Sequence, residues 1–141
     1  MSNALSVIVR IQVRFSEVDA IRTVWHGNYV QYLEDAREAF GKQYGLTYES
    51  IFHNGCYAPV YDMQLHYRTV ATVGDILLVK ATYQPIQQGS KIIFDYEIHR
   101  ESDNALILTA TTTQLFTTQT GELIPAGPPF YEEWKHRYAL N

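Results

Sequence analysis

Apolar and polar residues alternate along the first part of the chain. Val7, Val9, Ile11, Val13 and Phe15 fall on one face of residues 5–16, and Arg10, Gln12 and Arg14 on the other, which predicts a strand. The period then changes. Tyr29, Leu33, Ala36, Phe40 and Tyr44 recur at three- and four-residue spacing, which predicts one long helix over Asn28–Tyr44. Asn28 is suited to cap its start, with Gln31 placed as in a capping box, and Gly45 to cap its end. A short helical turn is expected over Thr47–His53, capped by Thr47 and closed by Asn54-Gly55.

The remainder reads mostly as sheet. Tyr61, Met63, Leu65 and Tyr67 alternate with Asp62, Gln64, His66 and Arg68, and Val73-Gly74-Asp75 makes a turn. Ile76–Gln84 is a further strand, followed by a break from Pro85 to Gly89. Ile92, Phe94, Tyr96 and Ile98 alternate with Ile93, Asp95, Glu97 and His99; Ser102-Asp103-Asn104 turns the chain; Ala105–Thr118 is a long, threonine-rich strand. Gly121, Pro125, Gly127, Pro128 and Pro129 mark an irregular stretch before a terminal helix over Phe130–Leu140, amphipathic through Phe130, Trp134 and Tyr138. Consecutive strands joined so tightly run antiparallel. Val30, Tyr32 and Ala39 widen the apolar stripe of the long helix, so a curled sheet wrapped around that helix is the expected arrangement.

Composition narrows the class. The 141 residues suit a single domain, and 46% apolar with 18% charged residues is the balance of a globular protein. The net charge of −4 argues against nucleic acid as a partner, because that needs a concentrated basic surface. Cys56 is the single cysteine, so no internal disulfide is possible, and no Cys/His spacing suggests a metal site. Cys56 has no base near it in sequence, and an inert thiol is expected. No stretch has the length and apolar character of a membrane span, and a cytoplasmic protein is the default.

The candidate chemistry sits where the first strand meets the long helix. A helix N-terminus presents unpaired N–H groups and partial positive charge, which suits an oxyanion or a polarised carbonyl. Asp19 and His26 lie just upstream of it. The bland alternative for Asp19 is a loop acid that turns the chain, and for His26 a packing or hydrogen-bonding role. His53, His66, His99 and His136 have no partner pattern and read as surface or structural residues. Glu34 and Arg37, three apart on the helix, are placed to pair with each other or with a neighbouring subunit.

The segments Arg14-Phe15, Val18-Asp19-Ala20, Val24-Trp25-His26, Asn28-Tyr29 and Glu34-Asp35-Ala36-Arg37, followed by His66-Tyr67-Arg68 and Val73-Gly74-Asp75, resemble a known group. The chain is similar, over about Val13 to Thr118, to hotdog-fold acyl-CoA thioesterases of the 4-hydroxybenzoyl-CoA thioesterase type and to the short-chain enzymes found with the Tol–Pal envelope system. It departs from them at Arg22, where the group usually has glycine. The resemblance implies an α+β hotdog fold: a curled antiparallel sheet of five or six strands around the central helix, with a core over about 5–119 and a C-terminal extension over 120–141. It implies hydrolysis of an acyl-CoA thioester with Asp19 as nucleophile or general base, His26 assisting, and the backbone N–H of His26 or Gly27 polarising the carbonyl. Asn28, Tyr29, Arg68 and Lys91 are the residues it suggests for substrate binding, although Tyr29 also suits a core position. No metal or other cofactor is implied, since CoA is part of the substrate, and the expected form is a homodimer or homotetramer with the site at the subunit interface. A non-catalytic acyl-CoA-binding module and a thioesterase for acyl carrier protein remain as alternatives, whereas the His and acid arrangement of a hotdog dehydratase is not found.

Overall fold

Five antiparallel strands form the frame on which everything else is hung. The computed structural model describes residues 4–86, 89–138 and 140. In chain order the elements are β1 (Ser6–Gln12), α1 (Asn28–Tyr44), α2 (Tyr48–His53), β2 (Cys56–Tyr57), β3 (Val60–Tyr67), β4 (Ile76–Gln84), β5 (Lys91–Arg100), β6 (Leu106–Leu115), β7 (Thr117–Thr118) and α3 (Pro129–Arg137). The main sheet has the order β1-β4-β5-β6-β3, and β2 pairs with β7 in a separate two-stranded ladder.

The sheet is open, which corrects the expectation of a curled sheet wrapped around the helix. β1 and β3 are its two edges and do not pair with each other. The buried residues of α1, which are Tyr29, Tyr32, Leu33, Ala36, Phe40 and Gly41, repeat at the spacing of a single face. Tyr32 belongs to that face instead of widening it, and Gln31, Glu34, Asp35 and Glu38 on the opposite side are exposed. A helix buried on one face needs one layer beneath it, and α1 packs on the β1–β4 side of the sheet. Phe40 anchors it, its ring edge-on to Phe94 at 4.8 Å and stacked with Tyr83 at 6.1 Å.

Other boundaries moved for local reasons. The first strand stops at Gln12 because the Val13 amide leaves the ladder for the Asp75 carbonyl, and Phe15–Glu17 winds into a 3-10 turn. The helix α1 keeps its expected ends, and Gly45 closes it in the left-handed region at φ 78°. Its cap residue is Gly27, not Asn28, whose side-chain amide donates instead to the Glu17 carbonyl at 2.8 Å. Thr47 caps α2 as expected, accepting from the Ser50 amide. β3 and β4 do run in opposite directions, yet they are not neighbours, since β3 lies beside β6 and β4 between β1 and β5. Residues 68–75 therefore cross the end of the sheet, held by Arg100, which bonds to the Val70 carbonyl and to Asp75. The long last strand is interrupted at Phe116. Residues 1–3, Gln87 and Gln88 of the expected break, and Ala139 of the expected terminal helix lie outside the described residues.

Candidate active site

The site region is a small hairpin followed directly by the start of α1. Val18 and Val24 bridge, the Asp19 amide donates to the Thr23 carbonyl, and Arg22 donates back to the Asp19 carbonyl. That tight turn requires a left-handed residue, and Arg22 supplies it at φ 68°. The hairpin is tied to the sheet through Thr72, whose hydroxyl donates to the Arg22 carbonyl at 2.7 Å.

Asp19 is exposed, and its carboxylate is turned onto its own loop. Oδ1 accepts from the Ile21 amide at 3.0 Å and the Thr23 amide at 3.3 Å, while Oδ2 meets only the Thr23 hydroxyl, at 3.3 Å. It lines neither of two hollows found among the described residues, one beside α1 and α2 and the other beside the start of β5. His26 is exposed too, its ring tilted against Trp25 at 4.9 Å, and its carbonyl accepts from the Tyr67 hydroxyl at 3.0 Å. The amides of His26 and Gly27 donate to no protein acceptor among the described residues. They stand at the N-terminus of a helix of 17 residues, where the peptide dipoles leave partial positive charge.

The Trp25 ring lies over Gly27 so closely that a Cβ at Gly27 would meet it at 2.2 Å, so only glycine leaves this backbone open. Phe15, Ile21, Trp25, Tyr67 and Val70 are all at least half exposed, giving this end of the molecule an apolar rim.

The remaining expected residues separate into three places. Asn28 holds the loop from within, and Tyr29 is buried, its ring edge-on to Tyr32 and Tyr67, with burial pushing its phenol upward. Arg68 is exposed and donates to the Thr109 hydroxyl at 3.3 Å, at the same end of the sheet as Tyr67. Lys91 is exposed at the other end: it pairs with Leu115 of β6, whereas Tyr67 pairs with Leu108. Those positions are about 23 Å apart along the strand, so one chain does not bring Arg68 and Lys91 together.

Glu17 organises the site without any local sequence pattern that assigns it this role. Its carboxylate accepts from the Arg14 amide and the Tyr32 hydroxyl, and its carbonyl accepts from Trp25 and Asn28. It thereby binds strand end, loop and helix into one unit. Only the acid two residues before Asp19 hinted at it. Burial and the Glu17 carboxylate together hold the Tyr32 phenol well above its usual range. No group of three or more His, Cys, Asp or Glu side chains among the described residues could hold a metal ion, and Cys56 is a buried free thiol. Among the described residues no helix is long and apolar enough to cross a membrane.

Comparison with known proteins bears on this arrangement. YneP of Bacillus subtilis (strain 168), named provisionally as an acyl-CoA thioesterase, is 29% identical over 105 residues, covering 74% of this chain and 75% of that one. The acyl-CoA thioesterase YbgC of Haemophilus influenzae is 24% identical over 130 residues, covering 92% and 91%. The crystal structure of the DHNA-CoA thioesterase from Staphylococcus aureus superposes with a TM-score of 0.82 at 25% identity, covering 96% of this chain and 93% of that one. The model of the thioesterase-like superfamily matches residues 13–135. Because that match runs from the residue after β1 into α3, and so takes in the Asp19 hairpin, the helix entrance and four strands of the main sheet, the chain belongs to the thioesterase-like superfamily.

Proposed function

We propose that the protein hydrolyses acyl-CoA thioesters at the entrance of α1. The observation that carries this reading is the pair of unengaged amides at His26 and Gly27, set at the positive end of a long helix and following an exposed carboxylate in a thioesterase-family chain. A thioester carbonyl lodged against those amides gains hydrogen bonds that strengthen as its oxygen takes on charge. Oδ2 of Asp19, the less engaged oxygen, draws a proton from water as the water oxygen bonds to the carbonyl carbon. The C–S bond then breaks, and the CoA thiolate leaves and takes up a proton. In the covalent variant Oδ2 itself attacks, the thiolate departs, and water opens the resulting anhydride. His26 orients the water in either case.

Arg68, at the same end of the sheet, is the proposed contact for CoA phosphates, and Lys91 joins it only from a second copy of the chain. A second copy also accounts for the uncovered inner face of β3, where Tyr61 and Tyr67 are 58% and 53% exposed beside Met63 and Leu65. The proposed form is thus a homodimer or homotetramer, acting in the cytoplasm. The loop bonds of Asp19 favour a second reading, a module that binds acyl-CoA without turning it over.

A thiol-trapping assay on a panel of acyl-CoA and acyl carrier protein thioesters separates the two. Saturable thiol release from acyl-CoA is expected. Binding of acyl-CoA with no release above buffer across the panel would replace the hydrolase with the binding module.

A further inference from the structure

The larger of the two hollows, about 550 Å³, is a groove between the exposed side of α1, α2 and the inner face of the sheet. Its size is that of a small-molecule site. Ile92 and Phe94 form the floor and Leu46, Ile51 and Ala58 the wall, so the lining is largely apolar. One group interrupts it. Arg37 lines the groove, and its Nη1 is buried and donates to nothing. Among the described residues it is the one buried side-chain nitrogen or oxygen without a partner. Its other terminal nitrogen reaches Glu34 at only 3.4 Å, near the limit of a hydrogen bond. The nearest polar group beneath α1 is the Tyr96 hydroxyl, which is shared with Thr112 at 2.8 Å; burial pushes that phenol up, and the neighbouring Arg37 guanidinium opposes the rise.

A buried charged donor with no acceptor is unfavourable unless something supplies one. The groove begins at Glu34 and Arg37, and Arg37 lies ten residues, about 15 Å, along α1 from Gly27. An extended acyl group of about ten carbons with its carbonyl at Gly27 therefore brings its far end to Arg37. CoA phosphates do not suit the groove, because Glu34 and Glu38 flank its single cation. A mostly apolar group ending in one oxygen does.

We propose that Arg37 is a specificity-determining residue, its Nη1 donating to a hydroxyl, oxo or carboxylate oxygen at the distal end of the acyl group. The enzyme's preferred substrates are then oxygenated acyl thioesters. This rests on the reading of the chain as an acyl-CoA hydrolase.

The test compares matched acyl-CoA esters of about ten carbons, the length that spans Gly27 to Arg37, ending in methyl, hydroxyl or carboxylate, with the wild type, Arg37→Met and Arg37→Lys. The wild type is expected to favour an oxygenated ester by about 10- to 100-fold in kcat/KM, chiefly through KM, the span of one hydrogen bond to a charged donor. Arg37→Met loses that preference, so that the three esters turn over with similar kcat/KM, and Arg37→Lys recovers part of it. An unchanged preference in Arg37→Met overturns the proposal, as does a shift in oligomeric state with discrimination intact, since Arg37 would then be serving the subunit contact. Thermal stabilisation of the wild type by the corresponding S-(2-oxoalkyl)-CoA thioethers, which keep the carbonyl and cannot be hydrolysed, gives a readout independent of the variants' folding and of turnover. Protection by oxygen-ended thioethers over methyl-ended ones, with no thiol release from any ester, removes the hydrolase reading and keeps the Arg37 site. Equal protection removes the Arg37 site.

Discussion

Two residues at the hairpin and helix entrance act through backbone geometry more than through their side-chain chemistry. Arg22 occupies a left-handed position that costs a non-glycine residue about 1–2 kcal/mol, part of which glycine's greater unfolded-state freedom would offset. Arg22→Gly should therefore stabilise the fold by roughly 0.5–1 kcal/mol, seen as a higher urea midpoint with an unchanged slope. A lower midpoint would show that the arginine side chain contributes something the backbone does not explain. Gly27 is constrained by contact. Gly27→Ala forces the Trp25 ring outward, and because that ring is half exposed the stability change should be small. The carbonyl site would be disturbed, with turnover falling by about 10-fold or more on the scale of one oxyanion donor. Wild-type turnover in Gly27→Ala would detach these amides from the chemistry. Asn28 shows why a cap is hard to read: its amide is drawn to Glu17, 11 residues back, a contact that no local pattern announces.

At the scale of elements, the chain was most legible where periodicity and a turn residue agreed. The helix α1 has its expected ends because five apolar positions and a left-handed Gly45 point the same way. The strands β4 and β5 have alternating patterns bounded by turns and appear as read. The first strand was overrun because Val13 and Phe15 continue the alternation after the hydrogen bonds have left the ladder. Val73-Gly74-Asp75 was expected to turn the chain between neighbouring strands, but sheet order is set by long-range packing, and β3 lies beside β6. The helix α3 closes over the end of α1: Trp134 Nε1 donates to the Tyr44 carbonyl at 2.7 Å, and the Tyr138 hydroxyl adds a second bond at 3.2 Å. This satisfies a carbonyl that the helix itself leaves free. Trp134→Phe keeps most of the apolar contact and removes the donor, so a loss of about 1–2 kcal/mol by denaturant unfolding is expected. No loss would mean Tyr138 alone suffices.

For the whole molecule, the open sheet carries the main consequence. The apolar width of α1 suggested enclosure on all sides, whereas its buried residues form one face and leave the inner face of β3 uncovered. An exposed edge strand with an apolar face is a surface for pairing. Leu65→Glu should move the protein toward monomer in sedimentation or size exclusion, and a wild type that is already monomeric would contradict the assembly proposed above. The sequence placed Asp19, His26 and Gly27 beside one another along the chain, and the structure gathers them on one hairpin and helix entrance. What the sequence did not disclose is how fully the loop claims the Asp19 carboxylate. The most direct test of the account is the turnover of Asp19→Asn on an acyl-CoA ester that the wild type hydrolyses, with folding checked by circular dichroism. A fall in kcat of about 10²–10⁴-fold with the fold retained is the predicted result. Turnover at the wild-type rate would contradict it and leave Asp19 as a turn residue only.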